Sequence, residues 1–278
     1  MSVRQLADVV KQVRWTHCVA SAGMVATFVG FPLAILGGMG GVYKWYYADE
    51  DAKLRAFIAK FGLPSEKQRL EVFEDAASRW DTSFDKVEQS GVAHHRREVF
   101  ATARGDVLEV GVGTGRCFEA LIAAGNVKSF VGLDLVESML QELRKKLPDL
   151  PFPAKVVSGD AHALPFPDAS FDTVTGSICV CSMERPVKVL EEMARVCRPG
   201  GEVLLMEPGL ASNAVIRWAQ GFLGLMPYPK HAWEVGWYDD RDPAALVREC
   251  AALRLVNVET RGLGNWYLIR ASPVHGEE

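Results

Sequence analysis

Apolar and polar positions divide the chain into one long uncharged run near the N-terminus and a larger region of short apolar runs and amphipathic stretches. In the larger region, apolar runs at 107–110, 130–134, 154–157, 170–177 and 202–207 have strand length, and several end in an acidic residue. Between them, residues 116–124, 136–146 and 186–196 place apolar side chains at helical spacing. Pro148 closes the second of these helices, and Arg198-Pro199-Gly200-Gly201 closes the third. Residues 71–81 and the stretch through 94–100 also have helical spacing, with Val72, Ala76 and Trp80 on one face. Runs at 255–259 and 266–270 supply a closing pair of strands. Strands that alternate with helices call for a parallel sheet covered on both faces. The pattern therefore predicts an α/β fold: a seven-stranded, mostly parallel, doubly wound sheet preceded by one N-terminal transmembrane helix.

That helix is the uncharged run at 18–43. At ~1.5 Å per residue it is long enough to cross a ~30 Å hydrocarbon core with some tilt. Trp15 on one flank and Trp45, Tyr46 and Tyr47 on the other stand where interfacial aromatic anchors belong. Inside the run, Ala22, Ala26, Gly30, Ala34 and Gly38 recur every fourth residue and form a ridge that lets a second helix approach closely. Residues 1–17 form a basic amphipathic segment, with Val3, Leu6, Val10 and Val13 on one face and Arg4, Lys11 and Arg14 elsewhere. Basic residues flank the span on both sides, so charge does not orient it. The expected organisation is this segment, the span, a charged connector at 44–72, a soluble domain at 73–272 and a tail at 273–278.

Composition changes this picture little. A formal net charge of −4 lacks the basic face that nucleic-acid binding requires. The six cysteines, Cys18, Cys117, Cys179, Cys181, Cys197 and Cys250, form no CxxC pair. They are expected to be reduced and mostly buried, in a compartment such as cytosol or matrix, and no metal site is expected.

The chemistry concentrates at the first strand's end. Glu109 is followed by Gly111, Gly113 and Gly115, a turn whose glycines let a ligand lie against the backbone. Asp134 ends the second strand about 20 residues on, where a carboxylate accepts ribose hydroxyls. Asp160 follows the third, placed to accept an adenine amine while the Ala161 N–H meets a ring nitrogen. A dinucleotide fingerprint needs a third glycine where this chain has Arg116. The acid before the turn suits a cationic cofactor instead of a pyrophosphate. The set Glu109, Gly111, Gly113, Thr114, Gly115, Asp134, Leu135, Asp160, Ala161 and Ser177 is therefore expected to bind S-adenosylmethionine.

Glu109 to Gly115, Gly132-Leu133-Asp134, Gly159-Asp160-Ala161 with Leu164-Pro165-Phe166, Phe171-Asp172 and Arg198-Pro199-Gly200-Gly201 together resemble the class I S-adenosylmethionine-dependent methyltransferases. Within that class the chain is similar to the quinone C-methyltransferase group. Val180-Cys181-Ser182-Met183, Lys230-His231-Ala232 and Asp240-Arg241-Asp242, with the anchor helix, resemble membrane-anchored methyltransferase-like proteins of mitochondria or endoplasmic reticulum. The resemblance implies methyl transfer to a small molecule. The apolar stretch at 207–240 and the anchor point to a lipophilic acceptor: a quinone precursor, a thiol or a lipid. Candidates on the acceptor side are Ser177, Cys181, Glu207, His231 and Trp233. His231 is preferred as base because neutral imidazole takes a proton near pH 7; Glu207 has capping the next turn as an alternative role. A second reading is a catalytically idle structural subunit docked in a membrane complex through its small-residue ridge. The basic start favours a single-pass protein of the mitochondrial inner membrane with its domain in the matrix; the alternative is the endoplasmic reticulum, facing the cytosol.

Overall fold

The computed structural model describes residues 62–223, 232–233, 235–238 and 240–274, together with 56, 59 and 60. The expected span at 18–43, its small-residue ridge, the basic segment, most of the connector and His231 lie outside the described residues. Among the described residues no helix is long and apolar enough to cross a membrane.

Seven strands form one sheet in the order β3-β2-β1-β4-β5-β7-β6. They are β1 (Arg104–Val110), β2 (Asn126–Asp134), β3 (Ala154–Ser158), β4 (Phe171–Ser177), β5 (Cys197–Pro208), β6 (Leu253–Arg261) and β7 (Trp266–Pro273). The first five run parallel, and β7 pairs antiparallel with both β5 and β6. The strand order reverses between β1 and β4, so the carboxyl ends of these two strands open a crevice.

Alternation along each strand sends neighbouring side chains to opposite faces. Leu108 and Val110 join Val189, Leu190, Met193 and Val247, from α6 (Pro186–Val196) and α8 (Pro243–Glu249), in one buried cluster; α7 (Ala214–Leu223) lies between these two helices in the chain. Val107 joins Phe118, Leu121, Leu140 and Leu143, from α4 (Phe118–Ala124) and α5 (Glu137–Arg144), in another. The same alternation in β5 divides Val203 and Leu205 from Leu204. Each such aliphatic side chain contributes about 1.5–3 kcal/mol of burial.

The elements before β1 depart most from the sequence pattern. A single helix over 71–81 is replaced by α1 (Glu66–Ala76), one 3₁₀ turn and α2 (Trp80–Val87). Ser65 and Gln68 form a reciprocal capping box that starts α1 within the expected connector. A π-turn at Glu88–Val92, with Gly91 at φ 121°, then redirects the chain into α3 (Ala93–Phe100). β5 starts at Cys197, earlier than the run at 202–207, because Cys197 pairs with Phe171 across the sheet. Cys117, Cys179, Cys181, Cys197 and Cys250 are buried free thiols, as expected.

Candidate functional site

The glycine turn caps the carboxyl end of β1. Gly111, Gly113 and Gly115 have φ of 66°, 53° and 83°, the left-handed region that favours glycine. They are not equivalent. A Cβ at Gly111 would meet Cys179 Sγ at 2.7 Å, and one at Gly115 would meet Leu143 Cδ1 at 2.4 Å. A Cβ at Gly113 would meet nothing within 4 Å. Gly111 and Gly115 are thus required by the fold itself, while Gly113 leaves its space to the cleft.

Asp134 holds this turn in place. The Gly113 N–H donates to its Oδ2 at 2.8 Å and the Val136 N–H to its Oδ1 at 2.9 Å. Each oxygen keeps a further lone pair for a hydroxyl donor. Burial pushes this carboxyl above the usual range, against the pull of these N–H groups.

Asp160 is fixed from the other side. Its Oδ1 accepts from the His162 N–H at 2.8 Å and lies 2.7 Å from His162 Nδ1. His162 Nε2 accepts from the Arg185 N–H at 3.3 Å, which places the imidazole proton on Nδ1. Burial raises the Asp160 pKa, but the His162 bonds outweigh it and hold the carboxyl below its ordinary value.

Glu109 is buried beneath the turn, and its Oε2 has no hydrogen-bond partner. Burial pushes its pKa up to about 7, opposed by the Cys117 thiol and the Arg96 guanidinium. Arg96, itself buried, forms a forked pair with Glu88 at 2.6 and 2.9 Å and donates from Nε to Ser177 Oγ at 3.1 Å. Ser177 therefore stands at the cleft in a fixed orientation.

One cleft, of about 1130 Å³ including its open mouth, is lined by Glu109, Gly111, Gly113, Thr114, Asp134, Leu135, Asp160, Ala161 and Ser177. These expected cofactor residues are brought together; Gly115 packs just behind them. Thr114 contributes mainly to the wall, because its hydroxyl donates to Asp81 on α2 at 2.7 Å. Lys146 Nζ joins the same aspartate at 2.6 Å and Thr114 O at 2.7 Å.

The acceptor-side candidates divide. Glu207 is fully buried, does not line the cleft, and accepts the backbone N–H groups of Cys179, Val180 and Cys181, each at 3.0 Å. Its carboxylate anchors the 3₁₀ turn Val180–Ser182 after β4, so the structure gives it the capping role and not that of a base facing the acceptor. Cys181 is buried in the same turn, and its thiol is pushed well up by burial beside Glu207. Trp233 donates to Gly62 O at 3.2 Å, tying its segment to the chain just before α1.

Three features were absent from the sequence reading. One is the Arg96–Glu88 fork. Another is an aromatic wall opposite the glycine turn, built from Phe73, Trp80, Phe84 and Trp237. Trp80 stacks on Phe84 at 4.4 Å and meets Trp237 at 6.4 Å. The third is a pair of arginines, the buried Arg69 and the half-buried Arg241, over the Tyr238 ring. The i, i+4 spacing of Trp80 and Phe84 is the one signal that could have marked the wall.

A methyltransferase-domain family model matches residues 108–205. Phosphatidylethanolamine N-methyltransferase of Cereibacter sphaeroides is 38% identical over 143 residues, covering 49% of this chain and 68% of that protein. The chain belongs to the class I S-adenosylmethionine-dependent methyltransferases. Demethylmenaquinone methyltransferase of Renibacterium salmoninarum is 36% identical over 140 residues, covering 49% of this chain and 56% of that protein, so the match spans little more than half its length. Among solved structures, the methyltransferase complexed with the Trm112 activator of Haloferax volcanii shares the fold, with a TM-score of 0.56 and 19% identity over 74% of this chain and 99% of that one.

The methyltransferase cofactor, S-adenosylmethionine, fits the residues present. The orphaned, buried Glu109 oxygen needs a cationic or N–H donor partner. Asp134 and Asp160 offer acceptors for hydroxyl and amine donors. The guanidiniums at this end, Arg96 and Arg116, are already engaged by Glu88 and by Asp81 and Asp85, so the turn is not built for a pyrophosphate.

Proposed function

We propose that this chain transfers the methyl group of S-adenosylmethionine to a lipophilic small molecule of the quinone, thiol or lipid class. The observation that carries this reading is the convergence of Glu109, Asp134 and Asp160 on a cleft whose opposite wall is aromatic and aliphatic. The sulfonium supplies an activated methyl carbon, so the protein's task is in-line placement and exclusion of water. Glu109 meets the cofactor's ammonium, Asp134 its ribose and Asp160 its adenine amine. Leu70, Phe73, Trp80, Phe84 and Trp237 close the cleft from the side of α1 and α2 and keep water from the reacting atoms. Ser177, held by Arg96, offers a polar contact between the two halves. His231 is proposed to take the acceptor's proton.

We also propose that residues 18–43 hold the domain at a membrane, the mitochondrial inner membrane being favoured by the basic start, with the catalytic domain on the matrix side. The matched relatives named for a phospholipid and a quinone support an acceptor that enters from a bilayer.

The test uses the full chain in detergent or bilayer discs. Cofactor binding is measured by calorimetry, and transfer from labelled S-adenosylmethionine is followed on a quinone precursor, an alkyl thiol and phosphatidylethanolamine. Failure to bind cofactor sinks the enzyme reading. Tight binding with no transfer to any acceptor, together with co-purification in a large membrane complex, would favour the structural-subunit reading.

A further inference from the structure

We propose that the outward face of α7, together with the β6–β7 turn, is a bilayer contact that sets the cleft against a lipid surface. This deepens, and rests on, the proposal that the domain is held at a membrane.

On α7, Val215 and Trp218 stand three positions apart on one face and are 71% and 68% exposed. Ile216, Arg217 and Gln220 are less exposed. The Gln220 amide donates to Asn265 Oδ1 at 3.3 Å, and the Ser212 N–H donates to Gly264 O at 3.0 Å. The helix is thereby seated beside the turn Gly262–Gly264, which joins β6 to β7. In that turn Leu263 is 44% exposed and has a φ of 62°. A leucine in the left-handed region is uncommon, and this one turns its side chain outward instead of burying it. Exposed apolar side chains scattered singly need no explanation, but three on two adjoining elements make a patch.

The patch lies on the edge of the sheet where the cleft opens. β7 is antiparallel to both β5 and β6, so β6 runs with the parallel strands. The β6–β7 turn and the chain leaving β5 therefore share the carboxyl edge with the ends of β1 and β4. Val274, 53% exposed, lies at the opposite edge, next to Pro273, which pairs with Leu253 at the start of β6.

Three observations select a bilayer as the occupant. Residues 208–233 contain no Asp or Glu, although the chain has 35, and Arg217 and Lys230 give the stretch a positive charge suited to anionic headgroups. Glu98 and Glu259, the carboxylates next to the turn, are paired with Arg261. The chain leading back to the uncharged run at 18–43 leaves from the same edge, because Gly62 immediately precedes α1, a wall of the cleft. Its carbonyl accepts from Trp233, in the segment after α7. Finally, a tryptophan beside aliphatic side chains suits the headgroup boundary, where one end of the ring is apolar and the other wet. A bilayer on this face stands beside the cleft, so a lipophilic acceptor reaches it without crossing bulk water.

The experiment uses the full chain in bilayer discs of phosphatidylcholine and phosphatidylglycerol in equal amounts. Cys18→Ser removes one thiol, and the described cysteines are buried. A nitroxide is placed at Val215→Cys, Leu263→Cys or Val274→Cys, and its relaxation by oxygen relative to a water-soluble nickel chelate reports lipid contact. The ratio is expected to be at least about threefold higher at 215 and 263 than at 274, as the first two enter the headgroup–acyl boundary. Trp218→Glu should bring the ratio at 263 down to that at 274 while cofactor affinity holds. Where that variant loses cofactor affinity, Val215→Glu carries the same test. A ratio at 263 that neither variant lowers overturns the contact. A label shielded from both reagents means that a second copy or another part of this chain covers the face, and also overturns it. Alkaline carbonate extraction from vesicles of the same lipids tests the anchor separately. A chain that resists extraction while 215 and 263 are as water-exposed as 274 overturns the face alone. Lipid contact at 215 and 263 in a chain that carbonate releases overturns the anchor and leaves the face standing.

Discussion

If Glu109 meets the cofactor's ammonium as proposed, the cofactor affinity is pH-dependent in a calculable way. Its folded pKa is about 7 because it is buried with one oxygen unpaired. Only the ionised carboxylate attracts the cofactor's ammonium, so the apparent affinity of the free protein scales with the ionised fraction. That fraction is about 0.09 at pH 6 and about 0.5 at pH 7 for a pKa of about 7. The dissociation constant should therefore fall about fivefold between these pH values. The cofactor's α-amino group, with an ordinary pKa of about 7.7–8.0, stays mostly protonated throughout. Asp134 is raised in the same direction by burial, so it does not oppose the trend. Calorimetry at pH 6 in two buffers of different ionisation enthalpy should show release of up to about 0.9 proton per cofactor bound, as the new ion pair pulls the Glu109 pKa down. Glu109→Gln should weaken binding at pH 7 by about tenfold or more, the loss of one charge-assisted hydrogen bond, and should flatten most of the slope. A wild-type affinity that is flat between pH 6 and pH 7, or an undiminished slope in the Gln variant, refutes the assignment of Glu109 to the ammonium.

The same carboxyl affects stability with the opposite consequence. Its folded pKa exceeds the unfolded value near 4.3, so cofactor-free stability is greatest below that value and falls as pH rises towards about 7. The loss is at most about 4 kcal/mol, and Glu109→Gln should therefore raise the cofactor-free Tm at pH 7.5 while impairing binding. Gly113→Val should abolish cofactor binding at a folding cost of about 1–2 kcal/mol, since its side chain enters the cleft and meets only backbone strain. Gly111→Ala should lower the Tm further, because its Cβ collides with Cys179 Sγ at 2.7 Å. Denaturant unfolding and calorimetry on the pair separate the two roles. Glu207→Gln should cost about 1–3 kcal/mol, as one acceptor of three backbone N–H groups becomes a donor. It should leave the pH profile of methyl transfer unshifted; loss of the limb that rises with pH on the acid side would restore Glu207 as the base.

The half of the site proposed for the cofactor was legible because its chemistry is local. Glu109, the three glycines, Asp134 and Asp160 each follow directly from a strand end, and strand ends are visible as apolar runs. The acceptor half is non-local. Trp80 and Phe84 come from helices before β1, Trp237 from the stretch after β5, and Arg96 from a helix redirected by a π-turn at Gly91. In the sequence Arg96 sits in His94-His95-Arg96-Arg97, a charged run whose ordinary fate is a solvated face; only the turn of chain direction buries it against Glu88 and Ser177. Glu207 shows the converse. At a strand end and beside the acceptor segment it had the position of a base, but a carboxylate adjacent to three converging N–H groups is more strongly held by them than by an incoming proton donor.

These two halves also differ in what a substitution would change. The carboxylates proposed to meet the cofactor answer to the cofactor's own charges and hydroxyls, so altering them should affect cofactor affinity whatever the acceptor. The aromatic wall and Arg69 line the remainder of the cleft, the part proposed to receive the acceptor. A search for the acceptor is therefore best conducted on Arg69, Trp80 and Trp237, with cofactor affinity as the control that stays fixed. Substitutions there that change which acceptor is methylated, while cofactor binding holds, would locate specificity on α1, α2 and the stretch before α8. Substitutions that reduce transfer to all acceptors alike would assign those side chains to closing the cleft against water instead.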